Sequence, residues 1–164
     1  MSKVLLQDNP QIVQILEKDL IEKALKALNA NSISAKLHGV FSLDDLEAKT
    51  ENDLDGFMAV GVGYQGCRPV GTQDVPAGGN RSTHAEFLFM ILFAAPTDAV
   101  TTQRHDATTM LSVLRRGIMG SPVAGSISQR PWQFVEEKPV IDESTRTMLY
   151  YTQVWRVKLP VNGN

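Results

Sequence analysis

The side chains able to do chemistry of their own are few and scattered along the chain. His84-Ala85-Glu86 has the H-x-E form in which a histidine binds zinc and a glutamate shuttles a proton. That chemistry also takes two thiolates from a P-C-x-x-C sequence, and Cys67, which lies upstream, is the one cysteine present. His105-Asp106 with Cys67 or a serine would supply the parts of a nucleophilic triad, since triads are defined by geometry rather than chain order. No nucleophile sits on a recognisable elbow, because Gly125-Ser126-Ile127-Ser128 lacks the G-x-S-x-G form. Gly61-Val62-Gly63-Tyr64-Gln65-Gly66 matches G-x-G-x-x-G behind an apolar run. A pyrophosphate also needs the N-terminus of a helix there, and Cys67-Arg68-Pro69-Val70-Gly71 follows instead. The acidic residues from Asp44 to Asp55 miss the alternating ligands, central glycine and terminal glutamate of a calcium loop. The residue chemistry therefore predicts no catalytic residue, no cofactor and no metal. The competing reading is a small cytoplasmic enzyme or ligand-binding domain that uses His84, Glu86 and His105.

The 164 residues and 18.0 kDa suit one domain, in which roughly two-thirds of the unfolded surface can be buried. Sixteen Lys and Arg against 18 Asp and Glu give a formal charge of -2 with no basic block, so specific nucleic-acid binding is not expected. A lone cysteine excludes an intrachain disulfide and suits a reducing compartment. After Val4-Leu5-Leu6 the chain turns polar, too soon for the apolar core of a signal peptide. The longest apolar run, residues 87–96, is about half of a membrane span. These features predict a soluble cytoplasmic protein without a membrane partner.

Hydropathy periods then place the elements. Asp8-Asn9-Pro10 opens a first helix, whose apolar stripe is Ile12, Val13, Leu16, Leu20, Ala24 and Leu28; Asn29-Ala30-Asn31-Ser32 ends it. Ile33, Ala35, Leu37 and Gly39 alternate with polar residues as a strand closed by Phe41. Residues 42–56 are acidic and predict a loop, residues 57–64 a second strand. Residues 66–84, rich in Gly, Pro, Thr and Asn, predict a nineteen-residue loop, a length usually reserved for function. Residues 85–95 are apolar on both faces and belong at the centre of a sheet. A second helix from about residue 99 or 102 to 118 carries Met110, Leu111, Val113, Leu114 and Ile118 on one side, and Gly120-Ser121-Pro122 stops it. Residues 123–130 fit a short strand or a loop. Two aromatic and β-branched segments between Trp132 and Pro160 flank a polar insert, as in a terminal hairpin. The fold class is α+β: a mainly antiparallel sheet of four to five strands, two principal helices on one face and a C-terminal β-hairpin.

Three patterns in the last third of the chain carry a resemblance: Leu111-x-x-Leu114-Arg115 followed by Gly120, Trp132-x-Phe134-Val135-x-Glu137-x-Pro139, and Tyr151-x-x-x-Trp155-x-Val157. With the order of elements, they resemble the bacteriophage tail-terminator type, and in particular the small tail-assembly proteins of Mu-like prophages and contractile tails. The resemblance implies a structural subunit, not an enzyme, that forms a homo-oligomeric ring, commonly a hexamer. Such a ring caps the tail tube and joins it to the neck, assembling in the host cytoplasm and residing in the virion tail. A head-tail joining or neck protein needs nearly the same ring. Independently of the resemblance, the preference for arginine at interfaces and for function in loops marks Arg68, Arg81, Arg115 and Arg116 as candidate oligomer-interface residues.

Overall fold

The computed structural model describes residues 9–33, 35–39, 58–70, 82–96, 107–126, 129–140 and 148–162. These hold α1 (Ile12–Ala30), β1 (Ala35–Gly39), β2 (Met58–Val70), β3 (Ser82–Pro96), α2 (Ala107–Ile118), β4 (Gln133–Val140) and β5 (Met148–Asn162). The expected acidic loop (residues 42–56), the polar insert of the hairpin and the helix start before residue 107 lie outside the described residues.

A turn leads into α1: the Asn9 side-chain oxygen accepts the Gln11 N–H at 2.8 Å and the Asn9 backbone carbonyl accepts the Ile12 N–H at 3.0 Å, while the N-cap Gln11 makes no side-chain cap bond. Leu16, Leu20, Ala24 and Leu28 are then buried as their spacing predicts. At the other end Ser32 adopts a left-handed φ of 56°. Its N–H donates to Asn29 O and that of Ile33 to Leu28 O, the paired bonds of a Schellman motif. Ile33, expected to begin the first strand, instead closes this motif as a buried apolar residue, and β1 begins two residues later.

The five strands are ordered β1-β2-β3-β5-β4. The apolar segment predicted as central is central: β3 is bonded along most of its length to β2 and β5, both antiparallel. β1 runs parallel to β2 at one edge, and β4 forms an antiparallel pair with β5 at the other. Alternation puts Val60 and Val62 of β2, Phe87, Phe89, Ile91 and Phe93 of β3, and Trp155, Val157 and Leu159 of β5 on one face. They share one buried cluster with Leu16, Leu20 and Leu28 of α1 and Met110, Leu114 and Ile118 of α2. The two helices thus cover a single face of the sheet.

The nineteen-residue loop expected over residues 66–84 is strand at both of its described ends. β2 continues to Val70 and β3 starts at Ser82, because Cys67, Arg68, Pro69 and Val70 all find partners on β3. Glycine and proline there mark irregular strand, not absence of strand. Gly61 to Gly66 lie within β2, so the glycine pattern is not followed by a helix. Of the residues 123–130 expected as a short strand or loop, Ala124 and Gly125 form a turn, and Pro122 pairs with Pro131 in an isolated bridge.

The helices meet where Gly117 faces Ala27: a Cβ added to Gly117 would lie 2.3 Å from the Ala27 Cβ. Gly117→Ala therefore overpacks this crossing and is expected to cost about 1–3 kcal/mol in urea melts. Leu16→Ala or Leu20→Ala should cost about 2–5 kcal/mol, and Trp155→Ala about 3–5 kcal/mol. Losses below half of these ranges would show that the stripe and the hairpin are not the core.

Candidate functional site

Glu86 is brought to two arginines by strand register. The register of β2 against β3 shifts between Tyr64 and Gly66, and Gly66 takes a φ of 134° that a side chain resists. The extra residue moves Arg68, rather than Cys67, to the position opposite Glu86. Arg156 arrives diagonally from β5, where it stands opposite Leu88. Arg68 Nε donates to Glu86 Oε2, Arg156 donates to Oε1 at 2.9 Å, and Arg156 Nε also donates to Gln133. The Glu86 side chain is 3% exposed and that of Arg68 61%. Burial pushes the Glu86 carboxyl up. The hydrogen bonds and charges of Arg68 and Arg156 outweigh it and hold the group below its ordinary value.

This arrangement bears on His84, Glu86 and His105 as a catalytic set. Both oxygens of Glu86 are occupied by arginines, so the side chain is an anchored anion rather than a free base. His84 lies with Nε2 3.5 Å from Arg130, and His105 lies outside the described residues. Among the described residues no group of three or more His, Cys, Asp or Glu is placed to hold a metal. No described helix is long and apolar enough to cross a membrane.

A second cluster joins α2 to the β4–β5 pair. Gln153, fully buried, donates from Nε2 to Leu111 O at 3.0 Å and to Glu137 Oε2 at 2.9 Å. Its Oε1 accepts the Trp155 indole N–H at 3.3 Å. Arg115 pairs with Glu137 at 3.5 Å and lies 6.0 Å from the centroid of the Phe134 ring, which meets Trp155 edge-on. Residues from all three sequence patterns that carry the resemblance meet here. Arg115 is braced within the chain, whereas Arg116 is exposed with no ion-pair partner among the described residues. Arg81 lies outside them. Gln153 was not among the residues singled out by sequence, because one polar residue in an alternating strand reads as solvent-facing.

Asp19 was also missed. It is buried on α1, and a carboxylate so placed needs partners. Lys23 donates to Oδ1, as does the Ala124 N–H at 3.3 Å, and the Trp132 indole N–H donates to Oδ2 at 2.8 Å. The signal was legible: Asp19 falls between Leu16 and Leu20, inside the apolar stripe. Beside it, α1, α2 and the turn at Ser121 to Ala124 enclose a groove of ≈ 640 Å³. Ala27, Val113, Gly117 and Pro122 supply apolar lining, and Lys26 and Arg116 stand at the groove as cations.

No family model and no curated protein sequence matches the chain. Among solved structures, a chain described as "Virion of native gene transfer agent (GTA) particle" is similar, with a TM-score of 0.56 and 16% identity. The match covers 93% of this chain and 99% of that one. At this identity the likeness shows a common fold.

Two outcomes follow from the buried carboxylates. Asp19→Ala strands the Trp132 indole N–H and Lys23 and should cost about 3 kcal/mol in denaturant melts. For Glu86 the folded state holds the proton less tightly than the unfolded chain. Its contribution is present above the ordinary Glu range, about 4.3, and is lost as pH falls through the lower folded value. Glu86→Gln should therefore be less stable than the parent at pH 7, with the gap narrowing on acidification. A gap independent of pH would show that the ion cluster does not stabilise the fold.

Proposed function

We propose that the chain is a structural protein of a phage-like particle and, within that class, a tail terminator that closes into a ring on the tail tube. The observation that carries the class is the shared fold over 93% of this chain and 99% of a chain from a gene transfer agent virion. The specific role is supported by the three C-terminal patterns, whose residues form the brace between α2 and the β4–β5 pair. A ring needs no active site: it needs closed rotational symmetry and a heterologous contact between neighbours. Glu86 held between two arginines agrees with a protein that acts through its surface rather than through catalysis.

Of the arginines proposed for the subunit contact, Arg68 and Arg116 suit it best. Arg68 is anchored by buried Glu86 while most of its side chain remains exposed. An arginine fixed in advance loses little freedom on association. The contact forms during assembly in the host cytoplasm, and the finished ring stays in the virion tail.

Light scattering with mass determination tests this reading. The protein is expected at a multiple of its 18.0 kDa chain mass, six-fold for the hexamer, and should shorten tubes when added to polymerising tail-tube subunits. A monomer at every concentration would overturn the ring. A ring that leaves tube length unchanged would assign the chain to the neck instead.

A further inference from the structure

We propose that the groove between α1 and α2 receives the acidic segment of residues 42–56 from a second copy of this chain. The inference rests on the ring reading above and names the contact that would close the ring.

The groove defines the chemistry of its occupant. Several of its lining positions are small or apolar, Ala27, Val113, Gly117 and Pro122 among them. Two other charges are already engaged: Lys23 by buried Asp19, and Glu22 by Lys18 at 3.9 Å. Lys26 and Arg116 are exposed and have no ion-pair partner among the described residues. An occupant should therefore bring carboxylates spaced between aliphatic side chains.

The chain contains one segment of that composition. Residues 42–56 carry Asp44, Asp45, Glu47, Glu51, Asp53 and Asp55 against Lys49 alone, with Leu43, Leu46 and Leu54 among them. That segment contributes -5 to a chain whose formal charge is -2, so the remaining residues carry +3. Opposite signs on separate parts of one chain favour head-to-tail association between copies. Groove-to-groove pairing would set Lys26 and Arg116 of one copy against the same cations of another. That isologous contact is repulsive, whereas the heterologous one is attractive and can propagate around a closed ring. Docking an apolar and charged segment into a groove between helices follows a common mode of peptide recognition.

Charge exchange provides the test. One full-length variant carries Lys26→Glu with Arg116→Glu, a second Asp44→Lys, Asp45→Lys and Glu47→Lys. Each is measured by light scattering alone and in equimolar mixture, with thermal melts by circular dichroism as the folding control. The parent should be oligomeric and each variant alone monomeric. The mixture should regain the oligomer, because the reversed groove of one accepts the reversed segment of the other, and alternation closes in an even-membered ring. Lys26 and Arg116 are exposed, so the groove variant should keep the parent's circular-dichroism spectrum and a cooperative melt, lowered only by the loss of association.

Variants that assemble like the parent would overturn this proposal while leaving the ring intact, and would hand the groove to another acidic partner. Lowered melts without recovery on mixing would also overturn it, by showing that the segment packs on its own chain. A monomeric parent is seen before any variant is compared, and it removes the ring reading together with this contact.

Discussion

The carboxylate of Asp19 sits among the apolar residues by which α1 holds the sheet, and a charge there is tolerable only when its oxygens are satisfied. Three donors from different parts of the chain converge on it: Lys23 one turn along the helix, the Ala124 amide in the turn after α2, and the indole of Trp132. Trp132 in turn meets Phe89 of the central strand edge-on, with centroids 5.6 Å apart. One buried group thus ties α1, the α2–β4 connection and β3 together. If any one of these moved, an unpaired polar atom would be left inside the protein, so the relative positions of the elements are coupled. The groove beside Asp19 inherits its shape from that coupling, since α1, α2 and the turn are its walls.

The same principle operates at the far side of α2. Gln153 lies where the strand alternation aims it at the helix, and its amide spans a helix carbonyl, Glu137 and the Trp155 indole. Arg115 completes the brace from above Phe134. The sheet's other face carries the third buried polar centre, Glu86 between Arg68 and Arg156. All three centres join elements distant in sequence, and none leaves a reactive group poised for a substrate. Among the described residues, Arg68 projects from an anchored base, and Lys26 and Arg116 at the groove have no ion-pair partner.

Much of the architecture was legible from periodicity. The stripe Leu16, Leu20, Ala24 and Leu28 located the buried side of α1. The two-faced apolar run ending at Phe93 belonged in the middle of a sheet, and the aromatic segments after Trp132 paired as expected. Composition failed at residues 66–70 and 82–84, where Gly, Pro, Thr and Ser suggested loop. There the backbone joins the sheet because a long partner strand offers it hydrogen bonds, a non-local gain that local propensity does not contain. Sequence motifs failed in another way: H-x-E proved to be a strand carboxylate held by arginines, because its partners, Arg68 and Arg156, come from other strands.

By itself, the sequence determined the type and order of the principal elements, the apolar sides of the helices and the centrality of β3. These depend on residue periods of two and 3.6, which are written locally. The tertiary structure alone decided that Arg68 faces Glu86, because one additional residue at a bulge changes which side chain stands opposite another. It also decided that Gln153 is inside and which groups satisfy Asp19, since those donors and acceptors are brought from remote parts of the chain. Trp155 of β5 is core for the same reason: it is buried by elements that fold back onto it from residues far upstream.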